Sequence, residues 1–368
     1  MTTPRAWLVG LALIVSLPLT SAHGSLVHAD QLPQRLTDQE FWKLSSESSE
    51  PDGAFQSENL VSNEFRFQHV IPLLTRTATR DHAYLGVGPE QNFTYIAALR
   101  PSVAFIVDIR RGNLDLHLMY KALFEMSSSR SEFVARLFSR KPPAGLNASS
   151  TALDIFDAIR QAPPDEKIFE RNLKAVVARL TGRHRFALSN ADLHGVEFVY
   201  RAFFKDGPDI RYELLANPGF PVEGFPSYFD LMTTDDGKGQ RRSYLASEEA
   251  FRFVKDMQAR NLIVPVVGNF GGSKALRAVG AYLKQNDAIV SAFYVSNVEA
   301  YLRQQRIWGS FCANVAALPL DEASTFIRSV RGGFPWLKAT PWLDYTSEIT
   351  PILPEVAFCA PGRLARSS

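Results

Sequence analysis

The chain has 368 residues, enough for a substantial apolar core in one large domain or two smaller ones. With 46% hydrophobic and 21% charged residues and a formal net charge of +2, the composition is that of an ordinary globular protein. It carries no basic footprint for nucleic acid, and its 26 phenylalanines point to a well-filled core or an aromatic pocket.

Arg5 supplies a positive start, Ala6–Leu19 (AWLVGLALIVSLPL) an apolar run of signal-peptide length, and Thr20-Ser21-Ala22 small residues before a cleavage point. Residues 1–22 therefore read as a leader, with an alternative cut after Ala29, and the mature chain is expected outside the cytoplasm, periplasmic or secreted. The run is too short and abruptly ended for a comfortable membrane span, and the alternative is an uncleaved anchor. No membrane span is expected in the mature chain. Cys312 and Cys359 either pair in an oxidising compartment or stay free thiols, and no Cys/His spacing suggests a metal site.

Residues 30–62 are polar and include SSESSEPDG, a surface lead-in to one domain spanning 63–330. Asn63–Leu74 suggests a helix ended by Pro72. Ala83–Val87 (AYLGV) reads as a buried strand, Gly88-Pro89-Glu90 as a turn, and the residues through Leu99 as a helix with Pro89 in its first turn. Val103–Val107 is a second strand ending in Asp108, and Leu114–Phe124 a second helix. Residues 127–243 read as a helical and irregular insertion, with Asp165–Leu180 its best helix and strands suggested at Phe198–Phe204 and Arg211–Leu215.

Alternation then resumes. Ser247 N-caps a helix, and Leu262–Val267 is a third strand, although Pro265 argues against a fully paired central position. Gly268-Asn269-Phe270-Gly271-Gly272 turns into a helix begun by Ser273. Ala288–Val295 is a fourth strand and Cys312–Leu318 a fifth. Residues 331–368 form a C-terminal extension. The expected fold is α/β: a Rossmann-like, mostly parallel sheet flanked by helices, with the large insertion outside its ladder.

The first strand-to-helix turn carries Gly86, Gly88 and Glu90, and Asp108 lies 20 residues beyond Gly88 at the end of the next strand. Glycines there let a ligand approach the backbone, and an acid so placed accepts both hydroxyl protons of a ribose. Gln91 stands where a dinucleotide fingerprint has its third glycine. The pattern resembles the class I S-adenosylmethionine-dependent methyltransferase superfamily more than the NAD fold. That resemblance implies cofactor contacts near Gly86, Gly88, Glu90 and Asp108, with a further loop at Asn269 and Phe270. Tyr84-Leu85 replace the acid that usually precedes the first glycine, which weakens the contact to the cofactor's amino group. Four segments, YLGVGPEQNFTYIAALRP, YFDLMTTDDGKGQRRSYLASEEAF, NLIVPVVGNFGGSKALRAVGAYL and AFYVSNVEAYL, resemble an uncharacterised bacterial protein family with a methyltransferase-like fold and no assigned activity.

Other polar residues have two readings each. Tyr294, Asn297 and Glu299 sit at a strand's C-terminal end, where ligands bind in open α/β sheets, and Asn297 equally suits a helix cap. Asp235-Asp236-Gly237 reads as a solvated turn rather than a pocket edge. Arg110 and Arg111 read as a solvated pair, or as an anion contact. Asp192, His194 and Glu197 form an acid/base set on paper and a bland surface otherwise. Gly86, Gly88, Asp108, Asn269 and Asn297 are expected to line one cleft. Three functions stay open: a methyltransferase, with S-adenosylmethionine as its cofactor, a non-catalytic envelope protein binding a small ligand or a partner, and an NAD-dependent oxidoreductase.

Overall fold

The buried runs AYLG, VAFIVD, IVPVV and VSAFYVS form strands β1 (Ala83–Gly86), β2 (Val103–Asp108), β3 (Ile263–Val267) and β4 (Val290–Ser296). All but the last residue of β4 are buried, as a parallel sheet covered on both faces requires. β5 (Thr325–Arg331) and β6 (Tyr345–Pro351) complete a six-stranded sheet of order β3-β2-β1-β4-β5-β6. Neighbours pair in parallel throughout, except that β6 runs antiparallel to β5. The chain winds outward from β1 to β3 and then crosses to β4 on the other side of β1. Such a reversal leaves a crevice at the carboxyl ends of the two central strands, and the order is of Rossmann type.

The computed structural model describes residues 1–2, 32–78, 82–213, 225–331 and 345–359. Apart from its first two residues the expected leader lies outside them, as does the alternative cut after Ala29. The helices before the insertion are α1 (Asp38–Ser48), α2 (Ile71–Thr77), α3 (Gln91–Leu99) and α4 (Arg111–Met126). The stretch 127–243 contributes α5 (Arg130–Leu137), α6 (Ala152–Gln161), α7 (Glu166–Val177), α8 (Asn190–Asp206) and α9 (Tyr228–Thr233). Among the described residues it adds no strand to the sheet. Then come α10 (Glu248–Ala259), α11 (Ala275–Gln285), α12 (Val298–Gln304), α13 (Trp308–Ala316) and α14 (Ile352–Val356).

Several local expectations change. Phe198–Phe204 is helical, not extended: a Ser189–Asp192 capping box starts α8, and Val196, Val199, Tyr200 and Phe203 recur at helical spacing on its buried side. Of the strand expected at Arg211–Leu215, the described part makes one antiparallel bridge, Arg211 to Ser227. Cys312–Leu318 lies mostly in α13, where Phe311, Cys312 and Val315 face the core at helical spacing. Pro72 opens α2 instead of ending a helix.

The polar lead-in is anchored. A Thr37–Glu40 capping box starts α1, Phe41 is fully buried, and Trp42 stacks on Phe186 at 5.3 Å. Pro265 finds its explanation here, because β3 is an edge strand. On its outer side the Ser45 hydroxyl donates to the Pro265 carbonyl at 2.6 Å. The Val267 N–H donates to Ser49 Oγ at 2.9 Å, and the Glu50 N–H to the Val267 carbonyl at 2.8 Å. Proline's missing donor therefore costs the ladder nothing.

Aromatic packing accounts for much of the phenylalanine. Phe93, Tyr120, Phe124, Phe133, Tyr244 and Phe251 meet ring to ring, with Phe124 and Phe133 stacked at 4.4 Å. Cys312 and Cys359 are joined in a disulfide, their Cα atoms 5.6 Å apart, which ties α13 to the chain just after α14.

Candidate functional site

Gly88 follows β1 at φ +75°, a conformation glycine adopts without strain. Asp108 ends β2, Asn269 and Phe270 follow β3, Ser296 ends β4 and Asn297 follows it. In a parallel sheet these ends share one edge. Against it lies a cleft of about 920 Å³, open mouth included, lined by Gly88, Asp108, Asn269, Tyr294 and Asn297 among others.

The opposite wall is a strap of residues 50–64 laid across that edge. The Glu50 carboxylate accepts the N–H groups of Asn269 (3.0 Å), Lys274 (2.8 Å) and Ala275 (3.0 Å), at the positive end of α11. Asp52 accepts the Arg111 N–H at 2.7 Å, and the Gly53 N–H donates to the Ile109 carbonyl at 2.9 Å. A Cβ on Gly53 would fall 2.5 Å from Ile109, so only glycine fits this crossing. Phe55 meets Tyr301 edge to face at 5.3 Å, and Gln56 Nε2 donates to the Tyr301 hydroxyl at 2.9 Å. Ser62 closes the strap, its N–H donating to Glu90 at 3.2 Å and its hydroxyl to Gln91.

Of the residues singled out from sequence, Gly88, Asp108, Asn269 and Asn297 line the cleft, whereas Gly86 and Glu90 stand behind it. A Cβ on Gly86 would fall 1.9 Å from Asn92 Oδ1, so this glycine makes room for the Tyr84–Asn92 hydrogen bond. Glu90 is fully buried; its Oε1 accepts from Ser62 and its Oε2 has no partner. Burial pushes this carboxyl up to about 8, so it is mainly protonated at neutral pH.

Asp108 is not free. Its Oδ1 accepts the Arg110 N–H at 2.9 Å and faces the guanidinium Nε at 3.2 Å as an ion pair, and its Oδ2 accepts Nη2 at 3.3 Å. Arg110, read from sequence as solvated or as an anion contact, is buried and also donates to the Glu58 carbonyl. Arg111 pairs with Asp192 at 2.8 Å. Asn269 Oδ1 accepts the Gly271 N–H at 2.9 Å, fixing its turn, while the Asn297 side chain does not cap α12.

The remaining candidates fall to their bland readings. Asp235 accepts the Gly237 N–H and Asp236 pairs with Arg242, a turn. Asp192 completes the capping box of α8 with Ser189 and pairs with Arg111, Glu197 pairs with Arg201, and His194 is exposed. Glu299 pairs with Arg328. Among the described residues no group of His, Cys, Asp and Glu is arranged to hold a metal ion, and no helix is long and apolar enough to cross a membrane.

Three contributors went unseen in the sequence. Glu64, fully buried at the cleft, accepts from the Tyr294 hydroxyl at 2.8 Å, from Gln91 Nε2 at 3.0 Å and from Ser296 Oγ. Burial raises its pKa against these bonds. Asn59, at φ 45°, lies over the glycine turn, its amide nitrogen 3.2 Å from where a Gly88 Cβ would sit. His117 is kept neutral by burial, its pKa pushed down to about 4, so its Nε2–H donates to the Gly88 carbonyl at 2.9 Å. Asn92 Nδ2 bonds the Val87, Gly88 and Pro89 carbonyls as well, which leaves the turn rigid. A glycine pair advertises a turn; nothing in sequence marks an Asn, a Glu and a His folded onto it from elsewhere.

The family described as Domain of unknown function (DUF7790) matches residues 59–350, a span that holds β1 to β5 and all but the last residue of β6, and the chain belongs to it. No curated protein matches the chain.

Proposed function

We propose that this family member is an exported protein that binds a small uncharged molecule between the strap and the sheet edge, without S-adenosylmethionine or NAD. The Asp108–Arg110 pair carries the reading. An adenosine cofactor places its ribose hydroxyls on a free carboxylate at the end of the second strand. Here that carboxylate is already bonded to a buried guanidinium. Asn59 fills the approach to Gly88, and the residues before Gly86 are Tyr84 and Leu85 in place of an acid for the cofactor's amino group. These residues do not fit S-adenosylmethionine.

A methyltransferase-like fold is still favoured as the ancestry, supported by the strand order, the glycine turn and an acid on the next strand end. We read the chain as retaining that scaffold with its cofactor subsite closed by its own side chains. The Cys312–Cys359 disulfide and the features of residues 5–22 support export, since such bridges persist in oxidising compartments.

Calorimetric titration of the mature protein with S-adenosylhomocysteine and with NAD tests the reading. No heat is expected from either at millimolar concentration. Saturable binding of S-adenosylhomocysteine that Asp108→Ala abolishes would put the methyltransferase in front. N-terminal sequencing should return His23 or Asp30; Met1 or Thr2 from a soluble cytosolic fraction would refute export.

A further inference from the structure

The polar residues of the cleft fall into two groups: Ser62, Asn269, Tyr294 and Ser296 are bonded through their side chains like the charged residues, and four carboxamides are not. Its charged lining residues are Glu64, Asp108 and Arg110, and each is already bonded within the chain. Asn59, Asn63, Asn297 and Gln305 line it too, and their side-chain amides have no partner among the described residues. Each carboxamide offers two N–H donors and one carbonyl acceptor. Between them stand aromatic walls, chiefly Phe55, Tyr301 and Phe270.

An anionic ligand would find its cation spent on Asp108, and a cationic one would find both carboxylates spent. A purely apolar ligand would strip water from four amides and return nothing, which is costly. A nucleoside would lack its ribose carboxylate. What matches donors and acceptors in near-equal supply, beside ring faces and without free charge, is a molecule dense in hydroxyls with an apolar C–H face. We infer that the ligand is a neutral saccharide, its hydroxyls bonded to Asn59, Asn63, Asn297 and Gln305 and one sugar face lying on the Phe55–Tyr301 wall. The inference rests on the cleft being a ligand site without an adenosine cofactor.

The test is saturation-transfer NMR and calorimetry of the mature protein with glucose, N-acetylglucosamine, maltotriose and chitotriose. Glucuronate and glucosamine serve as charged counterparts, and indole and S-adenosylhomocysteine as other classes. At least one neutral sugar should bind, more tightly than either charged counterpart. Asn297→Ala should weaken it about tenfold, with a smaller loss for Gln305→Ala, which is exposed and leaves the melting temperature unchanged. Binding unaffected by both variants, tighter binding of a charged sugar, or silence from every sugar would overturn the inference. Indole bound without any sugar would overturn it alone; S-adenosylhomocysteine bound without any sugar would overturn the proposed function as well.

Discussion

Gly195 of α8 sits against Asp115 of α4, so close that a Cβ built on it would fall 2.1 Å from Asp115 Oδ2. The glycine is what lets the two helices approach. Gly195→Ala must move a helix or eject the carboxyl, and should destabilise the protein by about 1–3 kcal/mol in urea unfolding. An unchanged midpoint would show that the helices part freely.

The same contact makes stability depend on pH. Burial first, and the nearby Asp192 charge next, push Asp115 up to about 8 from its usual 3.8. Between these values the folded chain holds a proton that the unfolded chain has released, so stability falls as pH rises through that window. Asp115→Asn removes the titration, and its melting temperature should gain on the wild type from pH 5 to pH 8. A difference that stays constant with pH would contradict this.

Glu125 behaves in the opposite sense. Burial alone would raise it, but a hydrogen bond from His184 (2.8 Å) and the paired Lys121 ammonium (2.8 Å) bring it down to about 2 from 4.5. Its contribution is present above the unfolded value and lost as pH falls toward 2. Glu125→Gln leaves the Lys121 ammonium buried without its counter-charge and should cost about 3–5 kcal/mol at pH 7. Denaturation across pH should show the deficit shrinking below pH 4; a deficit that persists to pH 2 would locate the cost in packing.

For Asp108 and Arg110 a double-mutant cycle is the suitable measurement. Arg110→Ala strands a buried carboxylate and should cost about 3–5 kcal/mol, whereas the double variant with Asp108→Ala should recover part of that loss. Additive losses would mean the pair is incidental, and Asp108 would again be available to a ribose.

Reduction of the Cys312–Cys359 bridge, whose partners are 47 residues apart, should lower stability by about 2–4 kcal/mol. The Cys312→Ser/Cys359→Ser variant should reproduce the loss and be insensitive to reductant. Sensitivity of that variant to reductant would point elsewhere.

The sequence disclosed the parts of the fold that are buried on both faces. β1 to β4 are buried and mostly apolar, and parallel pairing then places their carboxyl ends together, so Gly88, Asp108, Asn269 and Asn297 could be gathered without coordinates. β5 and β6 were illegible because TFIRSVR and YTSEITP mix charged and hydroxyl residues with apolar ones, and only β6 lies at the sheet's margin. The aromatic run of α8 imitated a strand because its rings suit either conformation, and only the cap at Ser189 decides. The strap was hidden for another reason. Glu50, Asp52, Ser62 and Glu64 are ordinary surface types, and their partners lie from 27 to more than 200 residues away: main-chain N–H groups for Glu50 and Asp52, side chains for Ser62 and Glu64.

An edge strand with free carbonyls and amides is a template on which a second copy of the same chain can add its own strand. β3 is such an edge, and Ser45, Ser49 and Glu50 occupy the outward groups of Pro265 and Val267 that a newcomer would need. α1 and the residues just after it therefore act as a guard against strand-by-strand self-assembly. A proteolytic nick between that helix and the domain would leave the core untouched while exposing a seam along which molecules could join into fibrils.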